Sequence, residues 1–221
     1  MTKFTDKLRQ SVGTLWEKEF NHPFVQGIGS GALSQENFQY FMKQDYLFLA
    51  EFSRCIAIAI GKSKSIQEME WLSHLLNETL KTEMHLHIEY CAEVGIPPKE
   101  LSATEMSPST AGYTNHLLRT AYGQSSLAAE VAILPCCWSY AEIGRRLSKI
   151  QTLNNEPHFS KWIALYSAEE FRNLSIELRN LIDRQAHTLN ETQQNNLMDI
   201  FLKSTHYEYR FWEAAYSLEQ W

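Results

Sequence analysis

Apolar residues recur along this chain at intervals of three, four and seven, and seldom alternate one by one. In the stretch YFMKQDYLFLAEF, Phe41, Phe48 and Phe52 stand seven and four positions apart, with Leu49 beside them. That spacing gathers side chains on one face of an α-helix. Runs of alternating Val, Ile and Thr, which mark half-buried strands, do not occur. The pattern predicts an all-α fold. From Phe48 to Ile60 the chain is apolar around much of the helix circumference, so this segment belongs in the middle of a bundle.

Start and stop signals divide the chain into about eight helices. The first is expected from Thr5 to Phe20, ending before Asn21, His22 and Pro23, with a short helical turn over Pro23 to Gly27 after it. Ser34 caps a helix that runs to about Ile60. Ser65, Ile66, Gln67 and Glu68 make a capping box, in which the Ser oxygen and the Glu carboxylate satisfy free backbone amides. That helix is expected to reach Val94 and stop at Gly95, Ile96, Pro97 and Pro98. Further helices are expected over Thr110 to Tyr122, Ser126 to Ile150, Pro157 to Phe171, Leu174 to His187 and Thr192 to Glu219. With no repeat or linker, residues 1–221 read as a single domain, a compact multi-helix bundle.

Charge narrows the function. The net charge is −6 and no basic run occurs, which argues against nucleic acid and an anionic membrane surface as partners. No stretch approaches the ~18 consecutive apolar residues that span a bilayer. The first residues mix charge with apolar side chains and lack the apolar core of a signal peptide, so a cytoplasmic location is expected. None of Cys55, Cys91, Cys136 and Cys137 lies in a C-x-x-C pair. Cys55 and Cys91, among apolar helical neighbours, read as core fillers.

In so apolar a bundle the informative residues are polar ones on apolar faces. Asp45 shares its face with Phe41, Phe48, Leu49 and Phe52. Pro135 stands inside a helix, removes a backbone donor and predicts a kink, with Cys136 beside it and Tyr140 one turn later. Glu208 shares a face with Phe211 and Trp212. Carboxylates offered to a core need a partner or a ligand. Glu83, His85, His87 and Glu89 fall close together, and Glu78 lies seven residues before His85. A di-iron bundle needs a second set of Glu and His from other helices. Glu130, Glu142, Glu169, Glu170 and Glu208 have no His at the required spacing, so this cluster reads as a solvated or structural face. His22 reads as a surface or capping His.

FMKQDYLFL, AILPCCWSYAEIG, WIALYSAEEF and YEYRFWEAA, in this order and setting, resemble the thiaminase II (TenA-like) family over residues 5 to 218. The resemblance implies a haem-oxygenase-like bundle without haem, assembled as a homotetramer and needing no metal or organic cofactor. It implies a hydrolase in thiamin salvage. The substrate would be a small pyrimidine: aminomethyl-pyrimidine, giving hydroxymethyl-pyrimidine and ammonia, or thiamin, giving hydroxymethyl-pyrimidine and thiazole.

Carried over to this chain, Cys136 is the nucleophile and Glu208 the acid–base group. Asp45 takes the aminopyrimidine edge, Phe48 and Tyr140 sandwich the ring, and Tyr113, Tyr166 and Phe211 line the site. Phe48 stands where some members have Tyr, which keeps stacking and loses the phenol. Cys137 is an extra thiol, turned about 100° away around the helix. A metal-dependent oxidase on the same fold and a non-catalytic pyrimidine-binding or regulatory protein are the competing readings. The second has no use for Cys136 and Glu208. Of the six Trp, Trp71, Trp162 and Trp221 are candidates for a subunit interface.

Overall fold

The apolar stretch around Phe48 lies in the longest helix of the chain. The structure, a computed structural model, describes residues 2–150 and 157–221. Among these, helix is the only regular structure. The helices are α1 (Phe4–Ser11), α2 (Leu15–Phe20), α3 (Pro23–Ser30), α4 (Gln35–Lys62), α5 (Ile66–Glu78) and α6 (Met84–Glu93), with a π-helical turn, Thr79–Glu83, between the last two. They continue as α7 (Pro98–Ala103), α8 (Pro108–Gly123), α9 (Ser126–Leu147), α10 (Pro157–Ser167), α11 (Glu169–Ala186) and α12 (Glu191–Ser217). The chain groups into two units. One takes Met1–Leu33 and Glu130–Trp212; the other takes Ser34–Ala129 and Glu213–Trp221.

In the unit that begins at Ser34, α4 packs against α5, α6 and α8. Its buried face carries Phe38, Phe41, Phe48, Leu49, Phe52, Cys55 and Ile56. Ser34 caps it, its Oγ accepting from the Asn37 amide at 3.1 Å. The expected capping box forms with one change. Ser65 Oγ accepts from the Glu68 amide at 3.2 Å, while the Glu68 carboxylate reaches past Ser65 to the Lys64 amide at 3.0 Å. Ser107 caps α8 and Pro108 fills its first turn, so that helix starts earlier than Thr110. The chain end is fastened to the same unit. The Glu219 carboxylate accepts from the Ser109 amide at 2.8 Å, and the Trp221 indole donates to the Met106 carbonyl at 2.9 Å.

In the other unit, α1 packs on α11, where the Thr5 amide and hydroxyl donate to Asp183 at 2.8 and 3.1 Å. Trp16 of α2 meets Trp138 edge-on at 5.3 Å and stacks on Phe201 at 6.0 Å. Both indoles donate to Glu142, at 2.9 and 3.0 Å. Gly144 lets α9 touch the backbone of α10: a Cβ there would stand 2.4 Å from the Tyr166 carbonyl carbon.

Four expectations need correction. The helix expected over Thr5 to Phe20 is two, because Gly13 adopts φ 55° and breaks it. The helix expected to reach Val94 contains the π turn, so Glu78 and His85 do not keep α-helical register. The short α7 after Pro97 was not expected. The break placed after Phe171 lies at Ala168, which is extended, and Glu169 and Glu170 fill the first turn of α11, where acidic side chains suit the helix dipole.

Candidate active site

Along α9, the stretch Ser126–Ala141 is buried at every position except Cys136, which is half-buried. Pro135 lies within the continuous helix just before it. Cys137, next door, is buried. None of the four cysteines is in a disulfide. Cys55 and Cys91 are core residues as expected, and burial pushes both thiols up to about 12, which leaves them inert.

An aromatic box follows Cys136 on the same unit. Tyr140 lies 4.9 Å from Tyr166, 5.0 Å from Trp212 and 5.9 Å from Trp162, centroid to centroid. Phe171 meets Tyr166 edge-on at 5.0 Å. Trp162 is thus a core residue, 4% exposed, and its expected place at a subunit interface is corrected. Glu208 and Phe211 stand on α12 just before Trp212, both buried, Glu208 at 1% exposure. Tyr140, Tyr166, Glu208 and Phe211 therefore come from three helices of one unit.

The same unit buries a carboxylate that sequence reasoning passed over. Glu19 of α2 is 1% exposed. Neither of its oxygens meets hydrogen-bond geometry with another described residue, although the Ser139 hydroxyl stands close enough to ease its ionisation slightly. Burial, reinforced by the charge of Glu208, holds Glu19 well above the usual carboxylate range. Its signal in the sequence was an acidic residue three positions after a core Trp on a short helix. His22 serves as the N-cap of α3, its Nδ1 accepting from the Phe24 amide at 3.2 Å.

The other unit gathers Asp45, Phe48 and Tyr113. Phe48 lies one turn after Asp45 on α4, and its ring is 4.9 Å from that of Tyr113 on α8. Asp45 is buried, and its Oδ2 is 2.5 Å from Nε2 of His87 on α6. His87 Nδ1 lies 2.8 Å from the Glu83 carbonyl. A carbonyl only accepts, so Nδ1 carries a proton; the Nε2–Oδ2 link holds the second one. Burial opposes a charged His87, but the charge and hydrogen bond of Asp45, helped by Glu83, outweigh it and raise His87 above its ordinary 6.5. The link ties Asp45 Oδ2 to the His87 ring, buried on both sides.

Asp45 was expected on the core side of its helix, and it is there. Its partner was not foreseen, and the surrounding cluster splits: His87 is buried, while His85 is exposed and pairs with Glu89 at 3.2 Å. Among the described residues no group of three or more His, Cys, Asp or Glu is arranged to hold a metal ion. No helix among them is long and apolar enough to cross a membrane.

Comparison with known proteins bears on the family and the fold. The TENA/THI-4/PQQC family model matches residues 9–218. The chain is 40% identical over 218 residues to the aminopyrimidine aminohydrolase of Halalkalibacterium halodurans, covering 99% of this chain and 97% of that one. The solved TenA homologue from P. horikoshii superposes with a TM-score of 0.90 at 29% identity, covering 98% of this chain and 99% of that one. A Shewanella denitrificans domain described as having a heme oxygenase-like fold gives a TM-score of 0.77 at 16% identity, covering 97% of this chain and 92% of that one. That last likeness bears on the fold alone, and the fold is haem-oxygenase-like and all-α.

Proposed function

Because the chain belongs to the TENA/THI-4/PQQC family, matched over residues 9–218, we propose that it is an aminopyrimidine aminohydrolase. Its substrate is an aminomethyl-pyrimidine, giving hydroxymethyl-pyrimidine and ammonia, or thiamin, cleaved at the same methylene. Its role is salvage of thiamin and its breakdown products in the cytoplasm. The single observation that carries the catalytic reading is Cys136, the one half-buried residue in an otherwise buried stretch of α9. The full-length likeness to a relative named for this activity supports it.

Direct displacement at a methylene on a pyrimidine is slow. The reading assigns Cys136 to add, as the thiolate, to the neighbouring ring carbon. The thiol proton passes to Glu208 and from there to a ring nitrogen. The electron-rich ring then expels the leaving group from the methylene, as neutral thiazole or, from the protonated amine, as ammonia; water adds to that carbon and gives a proton to the departed base, and loss of the ring-nitrogen proton and the thiolate restores the aromatic ring. Cys suits reversible attack because even a small thiolate fraction is strongly nucleophilic. A buried carboxyl suits the proton transfer because its environment can match its affinity to neutral pH.

Asp45 takes the aminopyrimidine edge while His87 holds Oδ2. By the family resemblance, Phe48 and Tyr140 are each assigned to stack on the pyrimidine ring, and Tyr113, Tyr166 and Phe211 to contact it. The family match takes in both units, which supports one functional domain. The assembly is a homotetramer in this reading. Mass spectrometry of products after incubation with aminomethyl-pyrimidine and with thiamin tests the activity. Hydroxymethyl-pyrimidine from at least one is expected; release from neither refutes the reading.

A further inference from the structure

Glu19 is a buried carboxyl for which the proposed reaction has so far no role. Its place is fixed from several sides. Trp16, three residues earlier, wedges against Trp138 of α9 and Phe201 of α12. His22, three residues later, meets Tyr209 edge-on at 5.2 Å, and Phe24 lies 5.5 Å from Trp212. The chain through Glu19 therefore runs along the part of α12 that carries Glu208, with Ser139 of α9 alongside. Ser139 lies one turn after Cys136 on its helix. Two carboxyls, each 1% exposed, thus lie in one unit within electrostatic reach of each other.

The other charged and titratable groups around Glu19 do not neutralise it. Arg9 of α1 is 3.2 Å from Glu17 and lies over the Trp16 ring at 4.5 Å. Glu142 of α9 adds a like charge and is engaged by two indoles. His22 accepts a backbone amide, and Cys136 becomes an anion in the reaction. An ionised Glu19 would be a buried charge with no hydrogen-bonded partner beside a second carboxylate, an arrangement that proteins avoid by retaining a proton.

We propose that at neutral pH the buried pair of Glu19 and Glu208 retains one proton throughout the reaction, carried by Glu19, so that Glu208 works as a single carboxylate. The inference rests on the reading of Glu208 as the acid–base group. The proton balance then closes. Glu208 accepts the proton of the Cys136 thiol, so the pair holds two, and passes it to the ring nitrogen, so the pair returns to one. At no point do both groups bear a charge. Glu19 acts only through Glu208 and is a positioning residue.

Infrared spectroscopy of the whole protein at neutral pH tests this, with Glu19→Gln, Glu208→Gln and kcat/KM profiles against pH beside it. The expected result is a protonated-carboxyl C=O band that is present in the wild type and in Glu208→Gln and absent from Glu19→Gln. Gln mimics the neutral acid, so Glu19→Gln keeps its neutral-pH rate within about fivefold, and its alkaline limb moves to higher pH because an amide cannot ionise. A merely structural Glu19 would leave that limb in place. A band that survives in Glu19→Gln, an unmoved limb, or a neutral-pH loss as complete as that of Glu208→Gln overturns the proposal. Full activity in Glu208→Gln would instead refute the acid–base reading, while the band still reports on Glu19.

Discussion

Asp45 shows how far single residues can be read. Its place among Phe41, Phe48 and Phe52 marked a carboxylate turned inward, and it is buried as that spacing requires. Its partner, His87, lies 42 residues away in the chain, and no local pattern joins the two. Glu19 was equally hidden, because a Glu on a short helix is normally solvated. The Asp45–His87 pair has a consequence for stability. The folded protein holds the His87 proton more tightly than the unfolded chain does, so the contribution is complete below 6.5 and is lost as pH rises through the higher folded value. Thermal melts across that range should show the advantage of wild type over His87→Gln shrinking as pH increases. A gap that widened with pH would contradict the charged pair.

Helix ends were legible where a side chain or a Gly–Pro signal marks them, as at Ser34, Ser65 and Gly95. They were not legible where the cause is packing. The π turn at Thr79–Glu83 leaves no compositional trace, yet it changes the register that decides which His turns inward. Neither was the close approach of α9 and α10 visible, since Gly144 in AEIG looks like any helical glycine. Its Cβ-free face lies on the backbone at Tyr166, which cannot swing aside as a side chain would. Gly144→Ala should therefore cost about 1–3 kcal/mol by forcing the helices apart. It should also weaken pyrimidine binding by displacing Tyr166. Urea denaturation and equilibrium binding check the two effects; a variant as stable as wild type would show that α10 adjusts freely.

At the scale of the whole molecule, an all-α haem-oxygenase-like fold followed from the apolar periodicity together with four short motifs. The assembly was not legible, because aromatic content alone does not say which rings face out. Trp162 is buried, whereas Trp221 is 83% exposed and Ile66, Leu80 and Tyr122 are exposed as well. Apolar area of this kind is what a symmetric interface covers. Light scattering coupled to size exclusion should give about four times the 25.7 kDa of one chain. A mass near 25.7 kDa at micromolar concentration would exclude an assembly. The central claim is covalent hydrolysis by Cys136, and turnover of aminomethyl-pyrimidine in ¹⁸O-labelled water by wild type, Cys136→Ser and Cys137→Ser tests it most directly. The account predicts labelled hydroxymethyl-pyrimidine and ammonia from wild type, at a rate little changed in Cys137→Ser and less than about a tenth in Cys136→Ser. Turnover by Cys136→Ser close to the wild-type rate would contradict it.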